Sequence, residues 1–423
     1  MKMLWNLCLV LLVLLCAQPL YAQRQSYFIP PRDTDLQIDT DLQSHYVALN
    51  KSVPSKNQLF LFFPGTGGTP FFQQQLNNTA ADLGFHVIAL NYPNDQAVNR
   101  DLCVGPSADL DCYAKVRLEI KDGVDRTPLI SITRANSIEN RLIKLLVYLR
   151  VRFPDDGWGQ YLTNENTIKW SSIVVSGHSQ GGGHAGIIGR YHLVARVVMF
   201  AAMDYSGREM RPANWIAVPG STPNATPEDR FYGFSHQRDE EVNFAILSAQ
   251  VWPAYGMDSF GPVVNVESAA PPYGNTHSLT SNLDTPTDNY HGAVAVDRNL
   301  ALQADGTPVY KPVWEYLLSN TIQDDGPPAI TSAQILKKGK PVDHLVAGTK
   351  SKKYQISLAG SGFVVGSKAL IDGTEAGTSL TGSTELTVKL PFKKVPGAGM
   401  LTVQVRNLDG QVSNTLNIEV RDE

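Results

Sequence analysis

Residues 174–186 read VVSGHSQGGGHAG, an apolar run followed by a serine between glycines and then a polar, glycine-rich stretch. The apolar run suits a buried strand, and the small residues after Ser179 let a helix start packed close to it. A serine on so tight a strand-to-helix turn is held in a strained backbone conformation that lifts its oxygen clear of the sheet. Gly177 and Gly181 remove side chains that would collide there, and the helix N-terminus behind Ser179 favours negative charge. The chemistry such a serine performs is nucleophilic attack, for which it needs a base and a carboxylate to orient that base. The alternative is a glycine-rich turn with no reactive role.

The elements that must position Ser179 alternate in type. Candidate strands lie at 58–65, 85–93, 171–177, 195–202, 230–236 and 262–267. Between them NSIENRLIKLLVYLRVRF (136–153) carries apolar residues at helical spacing, with Asn136 or Ser137 as N-cap, and VYKPVWEYLL (309–318) reads as a closing helix. Strands alternating with helices imply an α/β fold, a mostly parallel sheet between helical layers. Within it Gly177-His178-Ser179-Gln180-Gly181 is a G-x-S-x-G nucleophile elbow at the fifth of eight expected strand places. On these features the chain, over about residues 45–320, resembles the α/β-hydrolase family.

That resemblance implies where the rest of a site lies. The loop FFPGTGGTPFF (62–72) would supply one oxyanion-hole N–H and the residue after the nucleophile the other, which assigns Thr66 and Gln180. Pro64 stands where many members carry histidine, so Gly67 remains an alternative to Thr66. The orienting acid follows the seventh strand, where FYGFSHQRDEEVNF offers Asp239, Glu240 and Glu241; Asp239 is the choice, with Asp204 in FAAMDYSG second. For the base two residues stay open: His277 in PYGNTHSLTSN and His291 in DNYHGAVAVD. The other histidines near these segments, His178, His184, His192 and His236, are expected to pack or line the pocket. Such a set implies a serine esterase or lipase-like hydrolase that cleaves carboxylic esters through an acyl-enzyme, Ser-His-Asp mechanism. A peptidase on the same fold, or an inactive scaffold serving in binding or adhesion, are the competing readings.

The remaining features bound the setting. Lys2, the apolar run from Leu7 to Ala17 and Ala22 read as a signal peptide over 1–22, which implies secretion to the exterior or periplasm. A lipid anchor at Cys16 is the lesser alternative, because Leu15 stands where a small residue is wanted. Past the leader only Cys103 and Cys112 remain, and a disulfide is expected rather than two thiols or a metal pair. The insertion 94–135 that holds them is a candidate rim or lid, and QVWPAYGMDSFGP (250–262) either lines the acyl side of the pocket or packs under the eighth strand.

A boundary falls near SNTIQDDGPPAI (319–330), giving units 23–325 and 326–423. After it, short runs such as KYQISLAGSGF and GMLTVQVRNLDG alternate apolar with polar and are cut by glycine turns, the pattern of an all-β sandwich. PPAI, LAGSGF, TELTVKLP and VQVRNLDGQVSNTLNIEV resemble the immunoglobulin-like IPT/TIG domain over 327–421. Charge divides at the same place: 12 basic and 8 acidic residues from 326 onward, a net of +4, against 23 and 32, a net of −9, over 23–325. An evenly solvated surface and a contact with an anionic wall or polymer are both compatible with the basic unit. No nucleic-acid partner, metal or cofactor is implied. The expected partner is a small or polymeric ester, possible cell-surface or polysaccharide contact runs through the Ig-like unit, and the chain is expected to be a monomer.

Overall fold

The computed structural model describes residues 24–104, 109–202, 204–206, 211–217, 225–319, 327–363, 367–382, 385–407 and 411–422. The expected leader, 1–22, and the expected boundary at 320–326 lie outside the described residues.

Nine strands form the larger sheet: β1 (Arg24–Ile29), β2 (His45–Asn50), β3 (Leu59–Phe63), β4 (His86–Ala89), β5 (Ile173–His178), β6 (Arg196–Phe200), β7 (Phe231–His236), β8 (Val264–Asn265) and β9 (Ser278–Ser281). Their order is β1-β2-β4-β3-β5-β6-β7-β9-β8. β2 is antiparallel to both neighbours, and every pairing from β4 to β8 is parallel. A parallel sheet must be covered on both faces, and the sequence of β3 shows it: Leu59, Leu61 and Phe63 enter one core while Phe60 and Phe62 enter the other. Helices α1 (Gln74–Asp82) and α5 (Lys311–Ser319) cover the second face. Helices α2 (Cys112–Asp122), α3 (Ile138–Arg152) and α4 (Gln180–Tyr191) cover the first. The cap of α3 is Ser137, whose hydroxyl accepts from Asn140 N at 3.3 Å. These residues have the α/β architecture.

Two differences from the sequence reading concern strands. β1 and β2 were not assigned, and the segment expected as the last strand, 262–267, is only the two-residue edge strand β8. The place beside β7 belongs instead to β9, whose sequence SLTS has one apolar residue and therefore no hydrophobic signal. Its polar side chains are buried all the same and are satisfied locally; Thr280 Oγ1 donates to Ser235 O at 2.9 Å.

Within 94–135, Cys103 and Cys112 form a disulfide with Cα atoms 5.8 Å apart. The 250–262 segment packs rather than lining the cavity described below: Trp252, Tyr255 and Met257 are core residues.

Residues 329–421 form two five-stranded sheets. One contains β10 (Ala329–Lys337), β11 (Lys340–Val342), β13 (Tyr354–Ser361), β16 (Gly377–Gly382) and β17 (Glu385–Lys389); the other contains β12 (Leu345–Val346), β14 (Lys368–Ile371), β15 (Thr374–Glu375), β18 (Gly399–Arg406) and β19 (Leu416–Arg421). Ile356, Leu358, Leu386 and Val388 from the first meet Ile371, Val403, Val405 and Ile418 from the second in one core.

One buried ion pair ties α2 to the serine turn. Arg117 donates through Nε and Nη2 to the Asp204 carboxylate, both side chains about 3% exposed, and its Nη1 donates to Gln180 O at 2.9 Å. Asp204, the second choice for the acid, is therefore partnered by arginine and not by histidine. Breaking a buried pair strands the surviving charge and costs roughly 3–5 kcal/mol. Arg117→Met is expected to destabilise by that amount, read as a lowered urea midpoint with an unchanged slope.

Candidate active site

Strands β5, β7 and β9 run in parallel, so the loops that leave their C-terminal ends meet at one edge of the sheet. The loop after β5 carries Ser179, that after β7 carries Asp239, and that after β9 carries His291. A cavity of about 270 Å³ opens there, lined by Ser179 and His291 among others.

Ser179 has φ 55° and ψ −123°, the strained conformation expected of the turn. Its N–H donates to Phe200 O at 2.8 Å, and its carbonyl accepts from Gly183 N at 3.2 Å, the first helical bond of α4. A side chain at Gly177 would collide with the backbone of Gly181, and one at Gly181 with the carbonyl of Phe63. A Cβ on Gly65 would stand 3.1 Å from both Ser179 Cβ and His178 Nδ1. The glycines at 65, 177 and 181 therefore let three backbone segments close around the serine.

The 64–68 loop is held by Tyr92 Oη donating to Pro64 O at 2.8 Å and by Asn94 Nδ2 donating to Gly65 O at 2.8 Å and Gly68 O at 3.0 Å. Gly67 N–H is consumed by Asn94 O at 2.9 Å, which removes Gly67 as an oxyanion donor. Thr66 N–H has no acceptor among the described residues, and Gln180 N–H, first in its helix, has no intrahelical acceptor. The two side chains meet as well, Thr66 Oγ1 donating to Gln180 Oε1 at 3.0 Å. The same Gln180 oxygen accepts from Val98 N at 3.1 Å, so the start of the 94–135 insertion forms one cavity wall.

The Asp239 carboxylate, its side chain fully buried, accepts from His291 Nδ1 at 3.0 Å on both oxygens. Its Oδ1 is further fixed by Glu241 N at 2.9 Å and Val242 N at 2.8 Å. Burial opposes charge on His291, but the hydrogen bond and charge of Asp239, with the charges of Glu241 and Glu240, outweigh it and raise the imidazole pKa above its usual 6.5. Glu240 has a separate role: its Oε2 accepts from Tyr290 N at 3.0 Å and His291 N at 3.1 Å, anchoring the histidine's backbone. Asn289 Oδ1 accepts from Gly292 N at 2.7 Å and from Asn299 Nδ2 at 3.0 Å on the other side of the turn.

His178 Nε2 donates to His291 O at 2.8 Å, with the two rings 4.8 Å apart. Burial, reinforced by the neighbouring His291, lowers its pKa to about 3, so it stays neutral.

His277, the other base candidate, is not brought to this site. It sits at the N-terminal end of β9, its ring stacked between Tyr232 at 3.9 Å and Phe260 at 4.3 Å, and burial lowers its pKa to about 4. The misplacement follows from the strand count: with 262–267 taken as the last strand, His277 comes after it, whereas the true neighbour of β7 begins one residue later. His178 lines the cavity, as expected, but its bond to the His291 carbonyl and the contributions of Glu240, Asn289 and Asn94 are backbone contacts that sequence does not display.

A serine with two free N–H groups beside it and a carboxylate-clamped imidazole on the same cavity can support general-base-assisted attack on a carbonyl. No protein-family model and no curated protein matches the chain. Among solved structures it is similar to a tributyrin phosphonate structure of esterase B from Lactobacillus rhamnosis, at 12% identity and a TM-score of 0.31, covering 61% of this chain and 74% of that one. It is similar to an S-formylglutathione hydrolase from Agrobacterium tumefaciens, at 12% identity and a TM-score of 0.32, covering 63% and 88%. The TIG domain of human nuclear factor of activated T-cells, cytoplasmic 4, is similar at 18% identity and a TM-score of 0.17, over 23% of this chain and 89% of that domain.

Proposed function

We propose that the chain is a secreted serine hydrolase of the α/β-hydrolase type, acting on carboxylic esters, with an Ig-like unit appended over 326–423. The observation that carries this reading is the shared cavity: Ser179, strained at φ 55°, lines it together with His291, whose ring is clamped by buried Asp239. The Cys103–Cys112 disulfide suits an oxidising compartment and supports export.

In this mechanism Ser179 Oγ attacks the ester carbonyl while His291 Nε2 takes its proton. Asp239 keeps the other proton on Nδ1 and stabilises the imidazolium. Thr66 and Gln180 N–H groups receive the oxyanion, at a helix N-terminus that favours negative charge. His291 then protonates the departing alkoxide, and water, deprotonated by the same imidazole, releases the acid from Ser179. A carboxylate-oriented base and unpaired N–H donors are what turnover requires, and they favour catalysis over a binding role for a retired scaffold.

A fluorophosphonate probe is expected to add one label to the purified chain, read by intact mass, and none to Ser179→Ala; an unlabelled folded wild type would sink the hydrolase reading in favour of binding. Turnover of short-chain p-nitrophenyl esters with no amide cleavage is expected, and faster amide turnover would make the protein a peptidase. His291→Ala should lose on the order of 10⁴-fold or more in kcat, whereas His277→Ala should retain turnover; the reverse result would return the base to His277.

The pH dependence has a determined sign. The base works only when neutral, so activity falls as pH drops through the His291 pKa, and the acid limb of kcat/KM is expected above pH 6.5. Glu240→Gln keeps an oxygen for the Tyr290 and His291 N–H groups but removes a negative charge that raises the pKa. Its acid limb should move to lower pH, and an unmoved limb would refute the electrostatic part of that role.

A further inference from the structure

A second concave site lies far along the chain from Ser179. A groove of about 840 Å³ is formed by the turn after β10, the 350–353 turn, the end of β17 and residues 392–394. Seven of the ten lysines that follow residue 326 line it, and no carboxylate does. Three acids of this unit are engaged elsewhere, Glu375 with Arg406, Glu419 with Arg421 and Glu385 with Ser357 Oγ. Among the described residues none of the groove lysines forms an ion pair.

The backbone forces these charges together. Lys350 and Lys394 face each other in an antiparallel bridge. The bridge is held by Ser351 N donating to Lys393 O at 3.1 Å and Val395 N donating to Thr349 O at 2.9 Å. Like charges placed directly opposite across a strand pair are destabilising, and nothing described in the protein neutralises them. The Ser351 hydroxyl, in the same lining, is buried and has no hydrogen-bond partner among the described residues. A cationic cluster built on fixed backbone and left without counter-charge is completed by an anion from outside.

We infer that this groove binds an acidic polysaccharide, a chain whose sugars carry carboxylates. A concave trough admits a polymer strand but not the plane of a bilayer. Among the described residues the large apolar side chains exposed on this unit, Met400 and Val412, are not in its lining. Single-stranded nucleic acid takes a row of aromatic faces for its bases, and beside the buried Tyr354 the groove offers only Phe392. Lysine ammoniums, compact charges with rotatable donors, suit carboxylates spaced along a sugar chain. This inference does not rest on the hydrolytic reading.

The test uses the full chain against immobilised polygalacturonate, with dextran as the neutral control. Wild type should bind polygalacturonate and not dextran, and binding should weaken at least about tenfold as salt rises from about 50 to about 500 mM. The quadruple variant Lys350→Gln/Lys352→Gln/Lys353→Gln/Lys394→Gln should lose about tenfold or more in affinity and melt no lower than wild type, since repulsion is removed. Lys340→Gln/Lys368→Gln, outside the groove, should bind as wild type. No binding by wild type, equal loss in the two variants, or a lowered melting temperature of the quadruple variant would overturn the proposal. Equal or tighter binding to phosphatidylglycerol vesicles or single-stranded DNA would overturn the polysaccharide assignment.

Discussion

The close approach of three backbone segments at Ser179 is the constraint on which the site depends. β5 must end, turn at φ 55° and begin α4 within one residue, while the loop after β3 passes against the same turn. Any Cβ at Gly181 would strike the Phe63 carbonyl, so β3 and α4 can lie this close only because that position has no side chain. Strain at one serine costs on the order of 1–3 kcal/mol and persists only where the surroundings over-determine it. Here they do: Ser179 N–H is bonded to β6, its carbonyl to α4, and the buried Arg117 grips the Gln180 carbonyl next door. The strain aims the hydroxyl into the cavity, and the same geometry leaves the Gln180 N–H free beside it.

Electrostatics around His291 depend on burial acting differently on neighbouring groups. Two imidazoles with rings 4.8 Å apart would repel if both were charged. Burial keeps His178 neutral, and its proton on Nε2 is used to hold the His291 carbonyl. His291, almost equally enclosed, is instead pulled toward the charged state by Asp239. Of this adjacent pair only His291 is therefore favoured to carry a proton. Asp239 and Glu240 share the work between side chain and backbone: one fixes the ring by Nδ1, the other fixes the main chain, so the imidazole cannot swing without breaking both.

The strained turn at Ser179 and the place of Asp239 were legible in the sequence because each is marked locally: glycines at fixed offsets flank Ser179, and Asp239 follows an apolar β-run directly. Helices α3 and α5 and the central strands were legible too, the helices from apolar residues at helical spacing and the strands from continuous apolar runs such as LFLFF and IVV, whereas α1 and α2 were not. His277 and His291 were not separable, because which of them reaches Asp239 depends on which segment lies next to β7. SLTS is a buried strand with hydroxyls in place of methyl groups, held by bonds such as Thr280 to Ser235 O, and hydrophobic periodicity is blind to it. β1 and β2 escaped for a different reason: they precede the motifs on which the alternation was built, and β1 is exposed along much of its length. The choice between Thr66 and Gly67 needed one fact that no pattern contains, that the Gly67 N–H is already occupied by Asn94.

The same limit applies to the lysines. Composition gives a net of +4 from residue 326 onward, which an evenly solvated surface would satisfy as well as a binding face. What distinguishes the two is local: seven cations share one concavity in whose described lining no carboxylate stands, so the local positive charge exceeds the net. Because charges on exposed surfaces are screened beyond about 8–10 Å at ordinary ionic strength, a polymer seated in the groove responds first to the lysines that line it. An acidic unit over 23–325 and a cationic groove after it can therefore share one chain. The groove's attraction is governed by where Lys350 and Lys394 are held, not by the sum of charges around them.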